Sequence, residues 1–196
     1  MLKNLHKENY NNENDLWREF LSGNLSMFDQ IYEYWFPKLM SYGLQITPDQ
    51  ALVQDVVQQL FIEFWQRRKK LQNIESFRNY LFKSFRNKLI KHLRSQNMVV
   101  SLDHHNYEND ESFAEEPFEN LLIQYQMDKD IKEKIKLAYQ QLTLRQKEAV
   151  YFRFYENMSY QEISDTMEFK DAKYARTLVY RSIEKMKVAL QKRIFV

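Results

Sequence analysis

Two glycines and three prolines in 196 residues are too few for the turns that a sheet-rich fold requires. Strand connections depend on residues that accept positive φ or preset a turn, chiefly Gly, Pro, Asn and Asp. Leu, Ile, Met, Lys, Glu and Gln are plentiful instead, and these lose little side-chain freedom in a helix. The chain is therefore expected to be all-α. Its length suits two small helical domains, each with a modest core.

Several function classes are set aside by what the sequence lacks. Cysteine is absent, which excludes disulfides and thiolate zinc sites and is compatible with a reducing cytosol. Neither an N-terminal apolar run of signal-peptide length nor a stretch of about 18 apolar residues occurs, so a cytoplasmic protein without membrane insertion is expected. His6, His92, His104 and His105 form no HExxH or other spaced ligand set, and there is no Gly-rich phosphate loop. The expectation is a non-enzyme without metal or cofactor.

The formal net charge of +2 conceals a strong division along the chain. Residues 63–94 carry ten Lys or Arg against Glu63 and Glu75, a local balance of +8. Residues 101–120 hold seven acidic residues and no Lys or Arg, and residues 170–196 return to +6. Two basic helical blocks around an acidic stretch suggest two anion-binding modules on a solvated linker. The expected organisation is a first domain over 1–96, an acidic linker over 97–118 and a second domain over 119–196.

Helical periodicity fills in the blocks. TPDQALVQDVVQQLFIEFWQRR opens with Thr47, Pro48 and Gln50 in a capping-box arrangement, which predicts a helix start at Thr47. Leu52, Val56, Leu60 and Phe64, with Val53, Val57, Phe61 and Trp65, make its apolar stripe. Asp55, Gln59 and Glu63, flanked by Gln54 and Gln58, form a polar face for solvent or a partner protein. Upstream, SMFDQIYEYWFPKLMSYG predicts a helix bent or broken by Pro37 and ending near Gly43. Downstream, SFRNYLFKSFRNKLIKHLRSQ places Phe77, Leu81, Phe85, Leu89 and Leu93 on one row, and Lys83, Asn87, Lys91 and Arg94 on another side. Helical spacing lapses from about Asn97 to Pro117 and resumes from Phe118.

The last third has the order of a helix-turn-helix. Capping boxes at Thr143/Gln146 and Ser159/Glu162 predict two helix starts, the second opening a short helix that buries Ile163 and Met167. After FKD a long basic helix follows, with Ala175, Val179, Ile183, Met186 and Leu190 facing inward. The second helix of such a unit fits the major groove and presents its first turns to base edges. Lys173, Tyr174, Arg176, Thr177, Tyr180 and Arg181 occupy those turns. Arg176 suits bidentate bonding to guanine or to phosphate.

In the first basic block Phe77, Tyr80, Phe82 and Phe85 are interleaved with Arg78, Lys83, Arg86 and Arg94. Rings that stack on unpaired bases beside cations that follow the backbone are the chemistry of single-strand capture. Phe85 belongs to the apolar row; Phe77 and Phe82 suit core and stacking equally, and Tyr80 is expected to be exposed.

Taken together, DVVQQLFIEFW and FRNYLFKSFRNKLIKHLR resemble region 2 of the extracytoplasmic-function (ECF) sigma factors of the sigma-70 superfamily. LTLRQKEAVYFRFYENMSYQEISDTM with ARTLVYRSIEKM resembles their region 4. The resemblance covers roughly residues 25–95 and 135–192; the long linker and YRSIEKM are similar to Bacteroidetes-type members. It implies an alternative RNA polymerase sigma factor that binds core polymerase, at the β′ clamp helices and β flap, and directs promoter-specific initiation. Asp55, Gln58 and Gln59 would dock on the β′ subunit, although members usually carry an acidic residue where Gln59 stands. Trp65 matches a family tryptophan and is expected in the core. The −10 element would be recognised and melted by Phe77, Tyr80, Lys83, Arg86, Asn87, Lys91 and Arg94, with Lys91 standing where many members carry Asp. The −35 element would meet the helix from Ala172 onward, where alignment to the family needs one extra residue around Lys170 to Lys173. An anti-sigma factor is an implied partner besides promoter DNA.

Two rival readings make different demands. A stand-alone helix-turn-helix regulator, with residues 25–95 sensing a ligand or dimerising, would bind DNA without polymerase. A helical adaptor that binds only proteins would show no salt-dependent DNA affinity.

Overall fold

A computed structural model describes residues 13–72, 74, 76–95 and 129–191 of the chain. The expected acidic linker, and the helical spacing from Phe118 to residue 128, lie outside the described residues. Among the described residues there are eight α-helices and no strand. The first four are α1 (Glu13–Ser22), α2 (Leu25–Ile46), α3 (Gln50–Arg67) and α4 (Phe77–Ser95). A 3₁₀ turn, Arg68–Lys70, follows α3. The C-terminal set is α5 (Lys129–Gln140), α6 (Leu144–Phe154), α7 (Tyr160–Met167) and α8 (Ala172–Gln191).

Helix ends follow local chemistry, with corrections to the sequence reading. Helical periodicity predicts no helix before Ser26, yet α1 is there and buries Phe20 against Phe28 and Trp65. Gly23, at φ +92°, ends α1 in a conformation that side chains resist, and its N–H donates to the Phe20 carbonyl. Asn24 then caps α2, its Oδ1 accepting from Ser26 and Met27 N–H. Pro37 lies inside a continuous α2, on its exposed side, and the helix runs three residues past Gly43 to Ile46. The start at Thr47 is also corrected. Asp49 is the N-cap of α3, its carboxylate accepting from Leu52 N–H, while Thr47 closes α2 by donating to the Gly43 carbonyl. A carboxylate at the positive end of a helix dipole supplies the cap that Thr47 is then free to leave.

Both other capping boxes form as read, Thr143 with Gln146 and Ser159 with Glu162. Asp171 supplies a further cap, accepting from Lys173 and Tyr174 N–H at the start of α8. The tight connection before it is made by Glu168 in the left-handed region at φ 58°. Trp65, expected in the core, is half-buried with Arg68 stacked over its ring. On α8, Ala175 and Val179 are fully buried, whereas Ile183, Met186 and Leu190 are only partly so.

The apolar stripe of α3 and the Phe77–Leu93 row of α4 pack with α2 into the N-terminal core. That core does not end at the domain boundary. Lys147 through Phe152 of α6 are six consecutive buried residues, so this helix is covered on all sides rather than along one stripe. It lies between α2 on one side and α8 on the other. The Tyr42 ring meets those of Phe82 and Phe152 at centroid distances of 5.6 and 4.8 Å, joining both domains in one aromatic cluster. None of the described helices is long and apolar enough to cross a membrane.

Candidate nucleic-acid interface

Successive rows of α4 face four different surroundings, because residues four apart share a face. Leu81, Phe85, Leu89 and Leu93 enter the core, with Phe77 half-buried at the end of that row. Phe77 and Phe82 resolve toward packing, since Phe82 is fully buried and Phe77 sits edge-on to Trp35. Lys83, Asn87, Lys91 and Arg94 form the outward row: Lys83 is half-buried and the other three are exposed.

Tyr80, Ser84 and Lys88 border a recess shared with Leu60, Glu63, Phe64, Arg67 and Leu71. Tyr80 is 36% exposed and its ring lies 5.4 Å from that of Phe64. Two of its lining residues pair with each other, Lys88 Nζ with Glu63 Oε1 at 2.6 Å. An accessible ring beside cations gives this side of α4 the composition of a base-stacking platform.

The fourth row, Arg78, Phe82 and Arg86, meets the C-terminal domain. Arg86 is 5% exposed, and its Nε and Nη2 donate to Glu148 Oε1 and Oε2 at 2.8 and 3.3 Å. Tyr42 adds a third bond by donating its hydroxyl to Glu148 Oε1 at 2.6 Å. Burial alone lowers the Arg86 pKa, but the Glu148 carboxylate and then Tyr42 outweigh it and hold the guanidinium firmly protonated. Burial, reinforced by the neighbouring Glu148 charge, pushes the Tyr42 phenol well up, so it remains the donor. At the edge of the same seam Arg78 donates to the Glu156 carbonyl and, at 2.6 Å, to Glu162. Asn87 Nδ2 reaches Glu168 Oε1 at 3.1 Å. Of the residues expected at the −10 element, then, Arg86 and Asn87 are engaged by the C-terminal domain, while Lys91 and Arg94 remain open.

On α3, Asp55, Gln58 and Gln59 are all exposed on the side away from the core. Ile62, one turn beyond Gln58, is 54% exposed on the same face, a residue that the sequence reading did not single out. Its signal was available: an isoleucine falling off both apolar rows of the helix.

At the C-terminal unit α7 and α8 pack closely on each other, joined by the Glu168–Asp171 connection. Lys173, Tyr174, Arg176, Thr177, Tyr180 and Arg181 are all exposed, while Ala175 and Val179 seat the opposite face of α8. The Arg176 guanidinium lies 5.4 Å from the centre of the Tyr180 ring, one turn away, which orients the fork without using its N–H donors.

Comparison with known proteins follows the same division. The family model described as sigma-70 region 2 matches residues 31–98, and that described as sigma-70, region 4 matches residues 132–186. No curated protein matches the chain by sequence. Among solved structures, that of CnrH in complex with the cytosolic domain of CnrY is similar at a TM-score of 0.60. It is 17% identical, over 91% of this chain and 96% of that one. The sigma factor RpoE in complex with the anti-sigma factor NepR from Bartonella quintana is similar at 0.59, with 16% identity, over 84% and 96%. With residues 31–98 accounted for as region 2, a ligand-sensing or dimerising role for that part is not favoured. Two regions in this order, covering more than half of the chain, place the protein in the sigma-70 family as an alternative, ECF-type sigma factor that directs promoter-specific initiation by RNA polymerase.

Proposed function

We propose that the three exposed surfaces divide the work of initiation among named residues. Asp55, Gln58, Gln59 and Ile62 on α3 dock the chain on the β′ clamp helices of core polymerase, and the C-terminal domain engages the β flap. Tyr80, Lys83, Arg86, Asn87, Lys91 and Arg94 on α4 meet the −10 element, Tyr80 stacking on an unpaired base and the cations following the strand; Phe77 supports Tyr80 from within. Lys173, Tyr174, Arg176, Thr177, Tyr180 and Arg181 on α8 read the −35 element. The observation that carries this reading is the first three turns of α8, where Lys173, Tyr174, Arg176, Thr177, Tyr180 and Arg181 are all exposed on a helix otherwise seated by Ala175 and Val179.

The working domains are taken as 1–96 and 119–196, with 97–118 a linker long enough for both promoter elements to be met at once. Action is in the cytoplasm, beside the nucleoid, and without catalytic chemistry of the chain's own. CnrH and RpoE are each seen with a protein partner, which supports an anti-sigma factor as a partner here too.

The test is reconstitution. Chain and core polymerase together are expected to give promoter-specific transcripts, and Asp55→Arg with Gln58→Arg to abolish association with core while the C-terminal domain stays folded. Association that survives both substitutions rejects the docking surface. Arg176→Ala is expected to weaken transcription only from promoters that carry the −35 element.

A further inference from the structure

Four consecutive cations, Arg67, Arg68, Lys69 and Lys70, close α3 and form the 3₁₀ turn after it, outside the three surfaces of initiation. Of these, Arg68 serves the fold. Its guanidinium stacks over Trp65 at 4.4 Å, donates to the Trp65 carbonyl and lies against Gly23, where a Cβ would come within 3.3 Å of it. Buried Leu71 fastens the other end of the turn, its N–H donating to the Arg68 carbonyl. Arg67, Lys69 and Lys70 stand exposed on this braced support, and among the described residues none of them has an ion pair or hydrogen bond. Glu63, one turn before Arg67 and the natural helix partner for it, is taken by Lys88 of α4 at 2.6 Å. Arg78 and Arg86 have carboxylates of their own. Three crowded like charges without an acid repel one another and contribute nothing to the fold, but they attract a polyanion.

Arg67 also lines the Tyr80 recess, on the side formed by α3. On α4, the row of Tyr80, Ser84 and Lys88 adjoins the outward row of Lys83, Lys91 and Arg94, since successive residues turn by about 100°. The recess therefore has cations on both banks and a ring between them. Residues three apart eclipse in a 3₁₀ turn, which sets Lys70 in line with Arg67.

We propose that Arg67, Lys69 and Lys70 form a second phosphodiester-binding site, which takes the single-strand backbone on the α3 side of the base stacked at Tyr80. Lys83, Lys91 and Arg94 take the backbone on the α4 side. The strand thus crosses the recess and is gripped on both flanks of the stacked base, so re-annealing has to break two sets of contacts instead of one. Single-stranded nucleic acid is the polyanion that fits, because it alone brings an unpaired base for the ring together with phosphates for both banks. This inference rests on the proposed stacking at Tyr80.

The experiment uses the full chain bound to core polymerase and a fluorescein-labelled bubble of a promoter that this holoenzyme transcribes, read by anisotropy across a salt series. Arg67→Gln with Lys69→Gln and Lys70→Gln removes the charge of the turn and spares Arg68. Lys83→Gln with Lys91→Gln does the same on α4. The turn variant is expected to lower the slope of log affinity against log salt by roughly 2, at about 0.7 for each phosphate of a single strand. Uncharged methylphosphonate linkages, moved as a short block along the non-template strand, then locate the contacts: a block on the right phosphates abolishes the difference between a variant and the wild-type chain. The blocks that do so for the turn variant and for the α4 variant should lie on opposite sides of the nucleotide whose abasic form abolishes the effect of Tyr80→Leu. An unchanged slope in the turn variant overturns the inference, and so does a defect abolished by no block, by every block or by a block on the α4 side. If Tyr80→Leu and the α4 variant also bind like wild type, the role of α4 in contacting DNA falls with it; if they weaken binding while the turn variant does not, only the second site falls. Circular dichroism verifies folding, and should the triple variant lose its helices, Arg67→Gln decides alone, with a slope change of about 0.7.

Discussion

Glu148 and Arg86 face each other 62 positions apart in the chain, through a two-bonded fork of 2.8 and 3.3 Å that closes the seam between α6 and α4. A buried pair of this kind adds little net stability over a well-packed apolar pair, but loss of one partner is costly, about 3–5 kcal/mol, because it strands the other charge. Here the stranded charge has an escape: the domains can part and hydrate it. Glu148→Ala is therefore expected to uncouple the domains rather than unfold them. Urea denaturation followed by circular dichroism and by tyrosine and tryptophan fluorescence should change from coincident transitions to separate ones. Coincident transitions in the variant would show that the pair does not couple the domains.

Gly43 marks the closest approach of α2 to its neighbours. A Cβ built there would run into the Val53 side chain and lie 3.0 Å from Phe85 Cζ. Both neighbours are fully buried in a packed core, so neither has room to retreat. Gly43→Ala should lower stability by about 1–3 kcal/mol despite alanine's better helix propensity. A denaturation midpoint equal to or above wild type would mean that α2 shifts freely.

Burial lowers the pKa of Lys147 on α6 from 10.5 to about 8. Below about pH 8 the lysine is protonated in both states and its full desolvation cost stands. From about pH 8 to 10.5 the folded state releases the proton while the unfolded state keeps it, so this residue's contribution to stability rises with pH. Lys147→Met removes the effect. The stability advantage of the variant over wild type should shrink by roughly 1–2 kcal/mol between pH 7 and 9.5. Parallel stability curves for the two chains across that range would contradict the assignment.

Thr166 is fully buried on α7, and its hydroxyl has no hydrogen-bond partner. Valine keeps the shape and the β-branch while removing the orphaned polar group. Thr166→Val should raise the thermal midpoint, by an amount corresponding to about 1 kcal/mol. A fall in the midpoint would imply that the hydroxyl is satisfied in solution.

Helix chemistry is local, and so most of the architecture is written in the sequence. The scarcity of Gly and Pro, the capping boxes at Thr143 and Ser159 and the two-row stripe of α3 all act within a few residues of chain, and each appears in the structure where the sequence puts it. Among the exceptions, the cap at Asp49 turns on competition with the adjacent candidate Thr47, which periodicity does not rank. Exposure of Asp55, Gln58 and Gln59, and of the first turns of α8, was equally legible, because an amphipathic helix has only one face left for solvent. What the sequence could not contain is the meeting of Arg86 with Glu148, Arg78 with Glu162 and Asn87 with Glu168. Arg86 reads as one more cation in a basic helix, and Glu148 as an ordinary polar residue after a capping box. Only packing of α6 against α2 and α4 removes water from both, and desolvation is what turns two unremarkable charges into a bidentate lock.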